Sequence, residues 1–131
     1  MFALDTNTLI DFFKGQGRVA EHLLAQSPSQ IAIPILVVYE LEVGITKSGS
    51  ATKRQAQFEQ LLDTVTVLPF DRQAASASAR IRGQLEARGV PIGPLDTLIA
   101  GTALAHGATL VTRNVSEFDR IEHLAVENWF D

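Results

Sequence analysis

The sequence predicts an α/β sandwich built on a parallel sheet, and three observations carry that expectation. Short apolar runs alternate with helix-periodic segments along the whole chain. The apolar runs are separated by helical patterns, which implies parallel pairing through crossover connections. With 131 residues, 46% of them hydrophobic and 20% charged, the chain can close one core without staples.

Taken in order, Phe2-Ala3-Leu4 reads as the first strand, followed by helices near 8–14 and 18–26. Ile31-Ala32-Ile33 is the second strand, with helices near 35–47 and 52–63 after it. Val65-Thr66-Val67-Leu68 is the third, and helices near 71–88 and 94–105 lead to Thr109-Leu110-Val111. Ala125-Val126 closes the set. The 94–105 helix carries the fullest signal: Leu95, Leu98, Ile99 and Ala103 share one face, Pro94 suits a first turn, and Gly107 lies past the end. Lys47-Ser48-Gly49-Ser50 reads as a polar loop between helices. No repeat or linker interrupts the pattern, so residues 1–131 are expected to form a single domain.

Composition removes several functions. There is no Cys, which rules out disulfides, thiolate metal sites and a cysteine nucleophile, and suits a cytoplasmic location. The longest apolar run, Ile31 to Tyr39, is too short to span a bilayer, and the start lacks the basic region of a signal peptide. A net charge of −4 argues against a non-specific electrostatic binder of nucleic acid. Gly15-Gln16-Gly17-Arg18-Val19-Ala20 spells a dinucleotide motif, but a helical pattern and not a strand precedes it, so it reads as a loop. The three histidines lack zinc spacing and no serine sits in a nucleophile elbow.

What remains is acidic. Ligands of a doubly wound sheet bind beyond the carboxyl ends of its strands. Asp5 closes the first strand, Asp96 opens the helix after Pro94, and Glu117 follows the strand ending at Thr112. Each has an ordinary explanation: Asp5 as a helix N-cap, Asp96 as a partner of the helix dipole, and Ser116 with Asp119 as a capping-box spelling near Glu117. Glu40 has Leu36, Val37, Val43 and Gly44 as helical neighbours and so points from an apolar face, where a carboxylate needs a partner or a metal. Glu42 has similar neighbours, and spacing does not choose between the two. Gathered at one edge, such carboxylates raise one another's pKa unless a cation neutralises them. Oxygen-only ligands point to Mg²⁺ or Mn²⁺, and the matching chemistry is phosphodiester hydrolysis.

Four segments also carry a resemblance: Leu4-Asp5-Thr6-Asn7, Tyr39-Glu40-Leu41-Glu42-Val43-Gly44, Pro91-Ile92-Gly93-Pro94-Leu95-Asp96 and Leu110-Val111-Thr112-Arg113-Asn114-Val115-Ser116-Glu117-Phe118. In order and separation they resemble the PIN-domain nucleases, and more narrowly the VapC toxins of bacterial toxin–antitoxin pairs. The resemblance runs over nearly the whole chain. It implies a three-layer α/β/α fold and a metal-dependent endoribonuclease, with Asp5 and Asp96 as metal ligands and Glu40 as a third catalytic acid. Asn7, Thr112 and Asn114 fall on supporting positions. Many relatives carry Asp at the position of Asn114, so Glu117 is expected to complete the catalytic set here. The Asn-x-x-Glu-Phe spelling favours transfer RNA over other RNAs as substrate. A VapB-like antitoxin, a homodimer and a higher-order toxin–antitoxin assembly are implied as partners.

Two rivals belong to other classes. A phosphatase or phosphoacceptor using Asp5 as nucleophile would be trapped by phosphate mimics, although Asp5-Thr6-Asn7 lacks the second Asp of the haloacid-dehalogenase spelling. A non-catalytic binding module on the same fold would have had no reason to keep Asp5, Glu40 and Asp96.

Overall fold

The computed structural model describes residues 1–49 and 51–131, so Ser50, at the end of the expected polar loop, lies outside the described residues. Five strands form one sheet: β1 (Phe2–Leu4), β2 (Ile31–Pro34), β3 (Thr66–Leu68), β4 (Thr109–Val111) and β5 (Val126–Glu127). Every pairing is parallel and the strand order is β3-β2-β1-β4-β5. Between them run α1 (Thr6–Lys14), α2 (Val19–Leu24), α3 (Ile35–Thr46), α4 (Ala51–Leu62), α5 (Arg72–Ala87), α6 (Pro94–Ala105) and α7 (Val115–Phe118). Successive residues of a strand point to opposite faces, yet Ile31, Ala32 and Ile33 are all buried, as are Ala3 and Leu4. Both faces of the sheet are therefore covered, which makes the three layers of an α/β/α sandwich.

The elements sit where the sequence pattern placed them, with ends shifted by local chemistry. α1 begins at Thr6 because Asp5 caps it, and it ends at Gly15, whose left-handed backbone (φ 67°) closes the helix. The glycine motif joins α1 to α2, so a helix and not a strand precedes it. Gly17 is required there because its backbone is left-handed (φ 63°) and a Cβ at that position would come within 2.5 Å of the Phe130 ring. A 3₁₀ turn at Pro28–Gln30, absent from the sequence reading, leads into β2. Ser116 lies inside α7, and Asn114 is its N-cap with no side-chain bond to the helix's backbone amides, so the Ser116–Asp119 capping box does not form.

α5 and α6 pack at close range. Ser78 backs onto Gly101, where an added Cβ would lie 2.8 Å from the Ser78 Cβ and backbone nitrogen. Phe58, Leu9, Leu110 and Phe118 fill the layers around the sheet. Among the described residues, no helix is long and apolar enough to cross a membrane.

Candidate active site

The chain moves outward from β1 through β2 and β3, then returns to the other side of β1 as β4. The strand order therefore reverses between β1 and β4, and the crevice beyond their carboxyl ends is where such a sheet offers a binding site. Asp5 and Thr112 are the first residues past those two strands. The Asp5 amide donates to the Val111 carbonyl (3.1 Å), which holds Asp5 against β4. Its Oδ1 accepts the Thr8 amide (2.9 Å), the N-cap bond of α1. Asp5 is 7% exposed, and burial pushes its carboxyl above the ordinary value of 3.8. Hydrogen bonds from Thr112 and Thr8 pull the other way, and the Asp11 carboxylate adds to the rise. Thr112 is itself buried, and its hydroxyl oxygen accepts the Asn114 amide (3.0 Å). One side chain thus steadies both Asp5 and the turn that begins α7.

Asp96 stands in the first turn of α6, where Pro94 supplies a preset start and the helix dipole favours an acid. Its carboxyl is raised above the ordinary 3.8 by desolvation first, then by the charges of Glu117, Glu40 and Asp5. Four carboxylates from four separate helical or capping positions therefore share one electrostatic neighbourhood.

Glu40 and Glu42 have different surroundings. Glu40 is half-buried and its Oε1 accepts the Thr6 hydroxyl (2.6 Å), a contact that ties α3 to the start of α1; Glu42 is exposed. Its partner is a hydroxyl, not the arginine of a structural ion pair. On α7, Glu117 is half-buried and accepts a hydrogen bond from the Asn114 side-chain amide, while Asp119 is exposed at the helix C-cap. Asn7 is exposed in the first turn of α1, and no hydrogen bond joins it to these acids.

The carboxylates are neighbours without being a closed cage. Among the described residues, no three of His, Cys, Asp or Glu stand close enough together to hold an ion as they are. Three of the acids rest on local donors: Thr8 and Thr112 for Asp5, Thr6 for Glu40, Asn114 for Glu117. The donor set is entirely oxygen, which fits a hard divalent cation and no softer metal.

Three participants were not visible in the sequence reading. Thr6 carried no assignment of its own, and its hydroxyl fixes Glu40. Asp11 is 5% exposed, one of its oxygens has no hydrogen-bond partner, and Arg113 lies 3.5 Å from it. Arg113 in turn rests 3.6 Å above the Phe130 ring. An acid wedged between Leu9-Ile10 and Phe12-Phe13 was the available signal for Asp11.

Comparison with known proteins adds an independent line. A family profile described as the PIN domain matches residues 2–124. The tRNA(fMet)-specific endonuclease VapC of Salmonella typhimurium is 35% identical over 128 residues, covering 98% of this chain and 97% of that protein. Ribonuclease VapC2 of Rickettsia felis is 38% identical over 107 residues, covering 82% and 79%. Among solved structures, VapBC2 from Rickettsia felis, bound to a DNA fragment from its promoter, superposes with a TM-score of 0.90 at 33% identity over 98% of each chain. DNA-bound VapBC from Salmonella typhimurium gives 0.90 at 36% identity over 98% and 97%.

Proposed function

The chain belongs to the PIN-domain family, with VapC-type toxins as relatives, and from that premise we propose that residues 1–131 are one nuclease domain: a Mg²⁺- or Mn²⁺-dependent endoribonuclease acting as the toxin of a toxin–antitoxin pair. One observation carries the reading. Asp96 stands at the crevice where the strand order reverses, and its carboxyl is raised by desolvation first and then by the charges of Glu117, Glu40 and Asp5. A fold tolerates that much unrelieved charge where a cation and a phosphate are to be handled.

Asp5 and Asp96 would hold the cation, which supplies Lewis-acid polarisation of a phosphate and a more acidic water. The remaining roles fall to the chain itself. Thr112 and the Thr8 amide fix the Asp5 carboxylate in one orientation. Thr6 occupies Glu40 Oε1, which leaves Oε2 free to take a proton from the attacking water. Asn114 holds Glu117 Oε2 in the same manner. Burial and the cap bond leave Asp5 poorly presented as a nucleophile, which disfavours a phosphoaspartyl enzyme.

Two relatives are named for cleavage of tRNA(fMet), which supports transfer RNA as the substrate here. The solved relatives were crystallised as VapBC pairs, which supports a VapB-like antitoxin as partner, alongside a homodimer and larger toxin–antitoxin assemblies. Such a toxin works in the cytoplasm, where its RNA is. The test is direct: purified protein should cut RNA internally with Mg²⁺ and stop in EDTA. Asp5→Ala and Asp96→Ala should abolish cleavage with an intact circular dichroism spectrum, and brisk cutting by either folded variant defeats the assignment.

A further inference from the structure

Asp11 is an expensive residue to bury on α1. Among the described residues one of its oxygens accepts no hydrogen bond, and its cation, Arg113, stands 3.5 Å away with a half-exposed side chain. Such a pair adds little stability, because desolvation offsets the attraction, and apolar side chains of similar size would pack as well. What it supplies is direction. A guanidinium is a rigid plane, and this one is held between the Asp11 carboxylate and the Phe130 ring, whose centroid lies 3.6 Å from the guanidinium carbon. Phe130 is itself anchored: its carbonyl accepts the Arg18 amide (2.8 Å) and its amide donates to Asn128 Oδ1 (2.8 Å).

The held plane sits in the turn that carries the site. Arg113 stands between Thr112, whose hydroxyl bonds Asp5, and Asn114, whose side-chain amide bonds Glu117. The α1 side of the contact is equally ordered. Asp5, Thr8 and Asp11 follow at intervals of three, and they meet the Val111 carbonyl, that carbonyl again (3.1 Å) and Arg113. We propose that Arg113 is a positioning residue for RNA cleavage: clamped by Asp11 and Phe130, it fixes the turn from Thr112 to Asn114 and with it the placement of Asp5 relative to Glu117. This role rests on the nuclease reading of the site. Thr112 and Asn114 are joined through residue 113 and by the 3.0 Å bond from the Asn114 amide to the Thr112 hydroxyl. A loose Arg113 therefore loosens one carboxylate against the other, and a displacement of about 1 Å at reacting groups costs up to roughly 100-fold in rate.

The test compares Arg113→Gln with the double variant Asp11→Asn, Arg113→Gln, which removes the stranded carboxylate along with its cation. Folding is checked by circular dichroism and thermal melting, and cleavage of a labelled single-stranded RNA with saturating Mg²⁺ is followed well below every Tm. In both variants kcat should fall roughly 10–100-fold with KM within about twofold of wild type, although the double variant regains most of the lost Tm. Arg113→Lys keeps the charge without the plane and should fall between. In EDTA, the Asn114 side-chain amide resonances should shift in both variants, because its bond to Glu117 is no longer held in place. Recovery of kcat in step with Tm in the double variant would reduce the pair to structural support and overturn the proposal. A raised KM with kcat intact and a flatter salt dependence would make Arg113 a phosphate contact, which also overturns it. Unmoved Asn114 resonances do the same. Wild type that fails to cut RNA brings down the nuclease reading and this role together, whereas cutting by wild type and both variants at equal kcat brings down this role alone.

Discussion

Replacing Asp5 separates its work as a helix cap from its work as a charge. Asn caps a helix about as well as Asp, so Asp5→Asn can keep the bond from the Thr8 amide at a cost of a few tenths of a kcal/mol. The Thr112 hydroxyl can turn to accept from the new amide, since it has two acceptor sites. What disappears is a charge that burial, at 7% exposure, makes unwelcome. Asp5→Ala loses the cap, about 1 kcal/mol, and leaves the buried Thr112 hydroxyl without its acceptor, about 1 kcal/mol more. In EDTA at neutral pH, Asp5→Asn should melt at or above wild type, and Asp5→Ala should melt roughly 6–10 °C below Asp5→Asn.

The pH dependence has a definite sign. The folded Asp5 carboxyl binds its proton more tightly than the ordinary 3.8 of an unfolded chain, so its contribution to stability is complete below that pH. That contribution is lost as pH rises through the higher folded value. The advantage of Asp5→Asn over wild type should therefore be absent below pH 3.8 and grow towards neutrality. Excess Mg²⁺ should then reverse the order by stabilising wild type through binding, about 2.7 kcal/mol at a hundredfold excess over Kd. Thermal melts across pH, with and without Mg²⁺, carry the whole comparison. Melting of Asp5→Asn well below wild type in EDTA at neutral pH, or equal Mg²⁺ shifts in both, would refute this account of the residue.

Other substitutions probe single contacts. Glu117→Gln should lower cleavage and the Mg²⁺-induced rise in Tm, Asp119→Asn should change neither, and adding Asn114→Asp to the Glu117 variant should restore part of both; near-normal turnover by Glu117→Gln removes Glu117 from the site. Gly101→Ala should cost about 1–3 kcal/mol in urea unfolding despite better helix propensity, because the new Cβ meets Ser78 and its backbone, whereas Gly83→Ala, with open space around it, should gain about 0.5–1 kcal/mol. Arg113→Gln should cost about 1–3 kcal/mol by leaving buried Asp11 without its cation, a figure reduced because the Arg113 side chain is 48% exposed, and Asp11→Asn on top of it should recover most of that loss.

The parts of this protein that were legible in its sequence are those governed by near neighbours. Leu95, Leu98, Ile99 and Ala103 announce α6 because helical spacing places them on one face, and Pro94 fixes its start. Asp5 and Asp96 could be picked out for the same reason, as acids at the junctions where a doubly wound sheet keeps its ligands. Spacing could not separate Glu40 from Glu42, since both have apolar helical neighbours; what sets Glu40 apart is Thr6, 34 residues away in the chain. Asp11 is the extreme case. From its own segment it is a polar break in an apolar run, and the cation that pairs with it comes from the turn after β4, held on a ring from the end of the chain. Asp5, Glu40 and Asp11 each rest on a donor or cation brought by another element: Thr112, Thr6 and Arg113. A reading built on local spacing therefore finds the acids before it finds what holds them, and parallel pairing of β1 with β4 is the step that brings Asp5 and Thr112 together.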